Sequence, residues 1–458
     1  MDYNHVDLQA NLWTNPNEIA DGIDNDENGF VDDLHGWNFV AGTNETVDDF
    51  SPDYHGTHVS GIIGAKGNNE TGISGVCWTV KLMPVKVLDN RGHGNAADIT
   101  RGIDYATNNG AFLSSNSWAY YNVEYQSVKN AIARSMEKSK LFVCAAGNDP
   151  YHTGTGWDID QDPRFRSYPS NWTLDNILSV LATDQNENRC DFSFYGHASV
   201  DIGAPGIDIL STILGDNYQS LTGTSQAAPH VAGVAALALG ICPGLTSSQL
   251  KSLIINGADK KSALDDTCVS EGRLNAYNVL NALGGTTQPN APSNLTAYPT
   301  AWNIILLYWH DNSTNELGFE IQRKDQYQGA FLHDNCADSN ATSIASFQDK
   351  TIDPALGRTY IYRVRAANRA GISSFTNTAS ASVPYTAPDA PINLEGPSPV
   401  VCPLVHLYWS DIATLGSNRD SYTDSSAQVA TYDYRVRANN PVGYSDYSNV
   451  ITIEVINW

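Results

Sequence analysis

The segment Gly223–Gly233, with the sequence GTSQAAPHVAG, constrains this chain most, because it places one serine at the start of a long apolar helix. Gly223 and Thr224 allow a tight turn, and Pro229 stands where an early helical turn tolerates proline. Ser225 falls at the predicted helix N-terminus, where free N–H groups favour a developing negative charge. The pattern indicates that Ser225 is a nucleophile mounted on a buried helix.

A serine hydroxyl is a weak nucleophile at neutral pH and needs a general base within hydrogen-bond reach. The segment Tyr54–Gly61, YHGTHVSG, supplies two histidines. This segment and the serine segment resemble the histidine and serine blocks of the subtilisin-like serine proteases (subtilases). The resemblance implies that His55 is the base and that the second histidine is structural. Tyr54, Ser60 and Gln226 stand where the family usually has Gly, Ala and Met.

Two further segments resemble functional blocks of the same family. The apolar run Leu141–Ala146 leads into Gly147 and Asn148, and the resemblance implies that Asn148 donates to the oxyanion of the tetrahedral intermediate. The run Ser117-Trp118-Ala119 resembles the segment that pairs with extended substrate main chain. Family members usually have Gly at the position of Ala119, so the added methyl group is expected to narrow the cleft.

The family's segment that carries the catalytic acid is the one that this chain does not match in full. Met1–Leu8 resembles only the tail of the family's acid block, so the acid would lie three residues before Met1. Asp2 matches the block's last position, which is not the charge-relay residue. Three interpretations stay open: a start position assigned too late, a natural fragment, or a homologue without the acid. We favour the first, and we expect a chain without the acid to lose about 10⁴-fold in activity.

Oxygen-bearing side chains alternate around a glycine between positions 24 and 32, in the pattern D-x-D-x-N-G-x-x-D. Such spacing suits calcium, which takes six to eight oxygen ligands. His35 stands where an EF-hand loop has its bidentate Glu, so the loop is not a complete EF-hand, and a solvated acidic loop is the alternative. The candidate calcium ligands are Asp24, Asp26, Asn28 and Asp32.

A second calcium candidate follows from the family resemblance. The segment Asn68–Ile73 resembles a family calcium loop, which implies Asn69 and Asp7 as side-chain ligands. The acidic run 158–162 is a weaker third candidate, for which we favour a solvated loop.

Composition limits the classes of partner. The 458 residues carry a formal net charge of −24, which argues against nucleic-acid and anionic-membrane partners. No apolar run approaches the about 18 residues of a membrane span. The resemblance implies protein or peptide substrates and a secreted protein whose signal and propeptide are outside this sequence. Among the seven cysteines, Cys242 and Cys268 are the candidate pair for a disulfide.

The first 284 residues alternate strand-like and helical patterns, as parallel α/β units do. The family resemblance implies a three-layer α/β fold with a parallel sheet for residues 1–284. Clear examples are predicted strands over 81–88 and 111–115 and predicted helices over 97–106 and 128–136.

Residues 285–290 form a predicted polar linker, and the residues after it contain an internal repeat. Leu307-Tyr308-Trp309 recurs as Leu407-Tyr408-Trp409, and both copies resemble all-β fibronectin type III sandwiches, over 291–385 and 386–458. The second copy has a much shorter interval between its shared tryptophan and tyrosine, so we expect it to lack about two strands and to be malformed, domain-swapped or poorly ordered. The modules suggest attachment to a surface or polymer. The alternative to a protease is therefore an inactive homologue that binds through these modules.

Overall fold

The computed structural model describes most of the first 382 residues and short segments after them. The described ranges are 1–47, 54–151, 153–283, 287–301, 304–338, 344–352, 357–382, 392–395, 400–401, 405–410, 421–424, 430–434, 439–440, 443–444 and 450–456. Positions 284–286 at the predicted linker, and most of the predicted second module over 386–458, lie outside the described residues.

Two compact units divide the chain. The first consists of Met1–Thr296, Tyr308–Ser346 and Ile361–Ala379. The second consists of Ala297–Leu307, Phe347–Tyr360 and Ser380–Trp458.

The α-helices described in the first unit are α1 His55–Gly64, α2 Ala96–Asn108, α3 Gln126–Glu137, α4 Thr224–Ile241, α5 Ser247–Asn256 and α6 Ala276–Asn281. Helices α2 and α3 cover the predicted helices over 97–106 and 128–136. Local capping explains two of their starts, because Asn95 accepts a hydrogen bond from the Asp98 N–H before α2, and Thr246 and Gln249 form a capping box before α5. Short 3-10 helices cover Gln9–Asn11, Pro163–Phe165 and Ser262–Leu264.

The strands among residues 1–284 build one main sheet and several small ones. They are β1 Trp37–Asn38, β2 Val85–Lys86, β3 Leu113–Asn116, β4 Tyr120–Tyr121, β5 Leu141–Ala145, β6 Ser167–Tyr168, β7 Ile177–Thr183, β8 Ile202–Pro205, β9 Ile209–Ile213, β10 Asn217–Leu221, β11 Asp259–Lys260 and β12 Gly272–Arg273. The six-stranded sheet has the order β11-β12-β8-β7-β5-β3, in which only β11 is antiparallel to its neighbour. Strand β2 is shorter than the predicted strand over 81–88 and pairs in parallel with β1.

Helices cover both faces of this sheet, which gives the three-layer α/β arrangement. Strand β5 shows the division, because Leu141, Val143 and Ala145 pack with α4, whereas Phe142 and Cys144 pack with α2 and α3. Side chains of a strand alternate between the two faces, so a strand buried on both sides is apolar throughout. Helix α4 is almost wholly buried in the first of these cores, as its apolar sequence predicts.

The predicted disulfide between Cys242 and Cys268 is wrong. Both residues are buried free thiols in different clusters, Cys242 beside α4 and Cys268 with Leu264 and Phe194. The apolar surroundings account for the burial of these cysteines, since a free cysteine packs as a small hydrophobic residue.

The region after residue 287 is rich in strands. The strands are β13 Ser293–Ala301, β14 Ile304–His310, β15 Gly318–Asp325, β16 Leu332–Asp338, β17 Ile344–Asp349, β18 Thr359–Asn368, β19 Gly371–Ile372, β20 Ala379–Ser382, β21 Ile392–Glu395, β22 Val400–Val401, β23 Val405–Ser410, β24 Ser421–Asp424, β25 Ala430–Tyr434, β26 Asn439–Asn440, β27 Gly443–Tyr444 and β28 Ile451–Ile456. One sheet has the order β13-β14-β17, and a five-stranded sheet has the order β16-β15-β18-β19 with β20 also paired to β18. Among the later strands, the orders are β21-β23-β24 and β22-β28-β25.

Buried charged groups join residues 332–338 to α3 and β5 within the first unit. The Lys138 ammonium lies 3.3 Å from the Asp334 carboxylate, and both side chains are almost fully buried. The Lys140 ammonium donates to the His333 carbonyl over 3.1 Å, and its burial lowers its pKa to about 7. The Phe112 ring stacks on the His333 ring with 3.7 Å between centroids.

No helix among the described residues combines the length and apolar character that crossing a bilayer requires.

Candidate active site

Ser225 lies in the first turn of α4 and is half-buried. The turn before it is close to the end of β8, since the Gly223 N–H donates to the Gly206 carbonyl over 2.8 Å. A Cβ atom on Gly206 would lie 2.8 Å from the Gly223 carbonyl oxygen, so this approach requires glycine. The structure therefore places Ser225 at a helix N-terminus, where backbone N–H groups favour negative charge.

Ser117 supports the backbone of Ser225. In an α-helix the N–H of residue 229 would donate to the carbonyl of residue 225, but Pro229 has no N–H. The Ser117 hydroxyl donates to that carbonyl over 2.8 Å. The Ser225 hydroxyl lies 3.4 Å from the Ser117 carbonyl oxygen, a long contact that leaves it available to a stronger acceptor.

Asn148 follows β5 and is tied to the start of α4. Its Oδ1 accepts hydrogen bonds from the Thr224 N–H over 2.9 Å and from the Thr224 hydroxyl over 3.0 Å. A backbone N–H can only donate, so this bond fixes which side of the amide is oxygen. Within the described residues Nδ2 makes no hydrogen bond, and it lies 3.6 Å from where a Cβ of Gly223 would stand. The arrangement presents an unused donor to the turn that carries Ser225.

Tyr121 holds the backbone of Asn148, and the sequence analysis missed it. Its hydroxyl accepts from the Asn148 N–H over 3.2 Å and donates to the Asn148 carbonyl over 3.3 Å. The only available signal was a tyrosine pair directly after the substrate segment, which is equally typical of a surface strand. Thr224 was likewise overlooked as a partner of Asn148.

His55 is the first residue of α1 and is half-buried. Strand β9 anchors this helix, because the Thr212 hydroxyl donates to the Thr57 carbonyl over 2.8 Å. A Cβ on Gly61 would overlap that hydroxyl, so the glycine permits the contact. Helix α1 also contacts α4. The two helices that begin at the predicted base and near the predicted nucleophile therefore pack together.

The neighbouring histidine, His58, is fully buried. Its Nε2 lies 3.0 Å from the Gln219 carbonyl oxygen, and burial lowers its pKa. These surroundings suit a structural residue.

The Asp2 carboxylate accepts hydrogen bonds from two backbone N–H groups. One carboxylate oxygen accepts from the Asn4 N–H over 3.1 Å, and the other accepts from the Gly215 N–H over 3.1 Å. Both contacts give Asp2 a structural role at the start of the chain, in keeping with its position in the sequence block.

The predicted substrate segment lies at the carboxyl end of β3. Trp118 is half-buried and contacts Tyr120 and Phe142 edge-on, with centroid distances of 5.8 and 6.1 Å. Ala119 is also half-buried. Because β3 and β5 are parallel, this segment and Asn148 lie at the same edge of the sheet, where open α/β sheets bind ligands.

The acidic loop brings three carboxylates together. Oxygen atoms of Glu18, Asp24 and Asp26 all lie within 4.8 Å of one another. Glu18 is 5% exposed, and its buried Oε2 has no hydrogen-bond partner among the described residues. Burial raises the pKa of Asp26 to about 7 and also raises that of Glu18. The sequence analysis missed Glu18 because it lies six positions before Asp24, the first residue of the D-x-D-x-N-G-x-x-D pattern.

The other two predicted ligands of this loop have different partners. The Asn28 side chain donates to Asp33 over 3.1 Å and accepts from the Phe30 N–H over 2.8 Å. Asp32 accepts from the Asp21 and Gly22 N–H groups, both over 3.0 Å.

The second calcium candidate forms a compact contact. Asn69 donates to Asp7 over 2.8 Å, and Tyr218 and the Ile73 N–H also donate to this carboxylate. In the run 158–162 the carboxylates instead accept from nearby donors, such as the Asp160 N–H for Asp158.

Comparison with known proteins agrees with this geometry. The profile of the Subtilase family (Peptidase_S8) matches residues 1–284, so the chain belongs to the subtilase family. It is 36% identical to Subtilisin-like protease 1 of Plasmodium berghei (strain Anka) over 296 residues, covering 62% of this chain and 48% of that protein. It is 38% identical to thermitase of Thermoactinomyces vulgaris over 245 residues, covering 53% of this chain and 79% of thermitase.

The chain spans about half the length or less of the Plasmodium relatives. Among solved structures, proteases from Pseudoalteromonas arctica match with 30% identity and a TM-score of 0.43, over 50% of this chain and 70% of theirs.

The raised pKa of Asp26 predicts how the metal-free protein responds to pH. A carboxyl pKa that rises from 3.8 to about 7 on folding means that the folded state disfavours the charged form, so stability falls as pH increases through this window. We expect the Asp26→Asn variant to lose less stability than the parent protein when the pH rises from about 4 to about 8. Urea denaturation in the presence of EDTA measures how the free energy of unfolding of each protein changes with pH. An equal change in both proteins would contradict the burial argument.

Proposed function

We propose that this chain is a secreted serine endopeptidase that hydrolyses peptide bonds of protein substrates. The observation that carries the proposal is the orientation of Asn148 beside the Ser225 turn. Its Oδ1 is occupied by Thr224, so its amide offers a donor and not an acceptor. A fixed donor next to a serine at a helix N-terminus is what an acyl-transfer site needs for the oxyanion.

In the proposed mechanism the Ser225 Oγ attacks the scissile carbonyl carbon and its proton passes to His55. The Asn148 Nδ2 and backbone N–H groups at the start of α4 hold the oxyanion of the tetrahedral intermediate. His55 then gives the proton to the departing amine, and water hydrolyses the acyl-enzyme by the same route. Residues 117–119 align the extended substrate main chain.

The catalytic acid of this mechanism is not assigned to a residue of this chain. In the family's block it precedes the position of Met1, and Asp2 already serves Asn4 and Gly215. The alternative function is an inactive homologue that binds through its β modules, and the reactivity of Ser225 distinguishes it from the protease.

A fluorophosphonate probe, which bonds covalently to an activated serine, separates the two functions. We compare this chain with the same chain preceded by a segment that carries D-[ST]-G in the family's register. We expect labelling of the extended protein at a rate up to about 10⁴-fold higher, because the acid orients the histidine. The Ser225→Ala variant of each form is the control and should not label. Absence of labelling in both forms, with cooperative unfolding of each, would favour the binding protein.

The oxyanion assignment predicts a kinetic signature. Asn148→Leu should lower kcat by about 10²- to 10³-fold with little change in KM, since the donor acts on the transition state. Thr224→Val keeps the hydrogen bond from the backbone N–H to Asn148 and loses the one from the hydroxyl. Its decrease in kcat should therefore be smaller than that of Asn148→Leu. Steady-state assays with a peptide substrate test both, and an effect confined to KM would contradict the assignment.

We also propose a structural calcium ion held by Glu18, Asp24 and Asp26. Oxygen atoms of these three carboxylates lie within 4.8 Å of one another, and the buried Glu18 Oε2 has no hydrogen-bond partner within the described part of the chain. Charged carboxylates this close repel each other unless a cation joins them. Oxygen ligands of this kind match calcium. The contact between Asp7 and Asn69 is the second proposed calcium site.

Calcium should raise the unfolding midpoint, and Glu18→Gln should remove much of that gain. A ligand at 100-fold its Kd stabilises by about 2.7 kcal/mol. Asp32→Asn is the matched control, because Asp32 accepts from backbone N–H groups and lies outside the cluster. Calorimetric titration should find one calcium ion fewer in Glu18→Gln than in Asp32→Asn, and equal stoichiometry would refute this site.

The β-rich region is proposed to contain fibronectin type III modules that attach the protein to a surface or polymer. One described sheet has the order β13-β14-β17, and another has the order β16-β15-β18-β19 with β20 also paired to β18. Small sheets of short strands are the elements from which a fibronectin type III sandwich is built. Trp309 is buried and contacts Phe319 edge-on at 5.2 Å, as expected for a residue in the core of such a sandwich.

A further inference from the structure

His197, Asp266 and Glu271 converge on the edge of the main sheet that lies opposite the Ser225 site. His197 precedes β8, and Asp266 and Glu271 precede β12. Strands β8 and β12 are parallel, so the segments that lead into them lie at the same edge. One ligand atom from each of the three side chains lies within 4.8 Å of the others.

Backbone hydrogen bonds fix the two loops that carry these side chains. The Gly196 N–H donates to the Thr267 carbonyl over 2.9 Å. The Val269 N–H donates to the Val200 carbonyl over 2.8 Å, and the Ser270 N–H donates to the Asp201 carbonyl over 2.9 Å. The loops are therefore joined on both sides of the cluster, which lowers the entropy cost of bringing the side chains together.

The ligand atoms of the cluster are largely uncommitted. Within the described residues, neither the His197 ring nor the Asp266 carboxylate makes a hydrogen bond or an ion pair. Glu271 has a loose ion pair with Lys260, at 3.6 Å and with the lysine side chain 67% exposed. A pair of this kind contributes little stability and can be displaced by a cation with a higher charge.

We propose that His197, Asp266 and Glu271 bind a divalent transition-metal ion of the zinc type. An imidazole nitrogen with two carboxylates is a ligand set that zinc accepts, whereas calcium takes oxygen ligands only. Zinc bonds of about 2.0–2.2 Å require the ligand atoms to approach more closely than 4.8 Å. His197 and Asp266 are exposed, so their side chains can rotate to close the site, and water completes the coordination.

The bound ion cross-links the loop before β8 to the loop before β12. It lies at the opposite edge from Ser225, so its effect is on stability and not on the chemical step.

The test uses the whole chain in a Ser225→Ala background, so that the result does not depend on the proposed protease activity. Calcium is kept saturating, and zinc or cobalt is titrated into protein from which transition-metal ions have been removed. We compare His197→Ala with His93→Ala, which removes another exposed histidine. Lys260→Met removes the cation that competes for Glu271. Calorimetry, the unfolding midpoint and the visible absorption of cobalt are the three measurements.

We expect zinc to raise the unfolding midpoint of the parent protein and of His93→Ala. His197→Ala should bind zinc at least about tenfold more weakly, a difference of about 1.4 kcal/mol, and should lose the cobalt absorption. Lys260→Met should bind more tightly than the parent. If His197→Ala is unstable without metal, Asp266→Asn replaces it in the comparison. Equal zinc affinity in His197→Ala and His93→Ala, or no zinc-dependent stabilisation of the parent, would overturn the proposal.

Discussion

The hydrogen bonds from Thr224 to the Asn148 side chain determine how the rest of the site is arranged. They join the carboxyl end of β5 to the first turn of α4, the two elements that supply the proposed oxyanion donor and nucleophile. The Asn148 Nδ2 is oriented without any substrate. The Thr224 N–H can donate only to the amide oxygen, so the amide has one orientation. Preorganised donors of this kind need no rearrangement during the reaction, which is why they contribute strongly to catalysis. Tyr121 holds the same residue by its backbone.

Pro229 in α4 leaves one carbonyl of the helix without its usual hydrogen bond. Pro229 removes one helical hydrogen bond from the carbonyl of Ser225, and an unsatisfied carbonyl would cost free energy in a half-buried position. The Ser117 hydroxyl replaces that bond. Ser117, the first residue of the proposed substrate segment, therefore also holds the backbone of the proposed nucleophile Ser225. A shift of this segment would move the serine as well.

Sequence motifs predicted the α/β domain because its strands and helices depend on short local patterns, whereas the roles assigned to Ser225, His55 and Asn148 stay predictions. The turn before Ser225, the apolar strand before Asn148 and the helix that begins at His55 are each determined by neighbours in sequence. Contacts between distant segments left no such pattern. Glu18 reaches Asp24 and Asp26 only because the chain folds back, and the Tyr121 hydroxyl contacts the Asn148 backbone from a segment 27 positions earlier. Cys242 and Cys268 were the candidate pair because they flank a short helical region in the sequence, although they lie in different apolar clusters. The side chains of the second module lie outside the described residues, so its expected defects stay predictions.

Residues 332–338 belong to the predicted first β module by sequence but pack with the α/β domain in the first unit. Lys138 and Lys140 are almost fully buried cations, and a buried charge is tolerated only where a partner or a carbonyl satisfies it. Asp334 and the His333 carbonyl are those partners. Removing the strand β16 that carries them would expose α3 and leave the Lys140 ammonium without its carbonyl acceptor. The free energy of this contact therefore favours a β16 that is an integral part of the α/β domain's surface over one that moves freely on a linker.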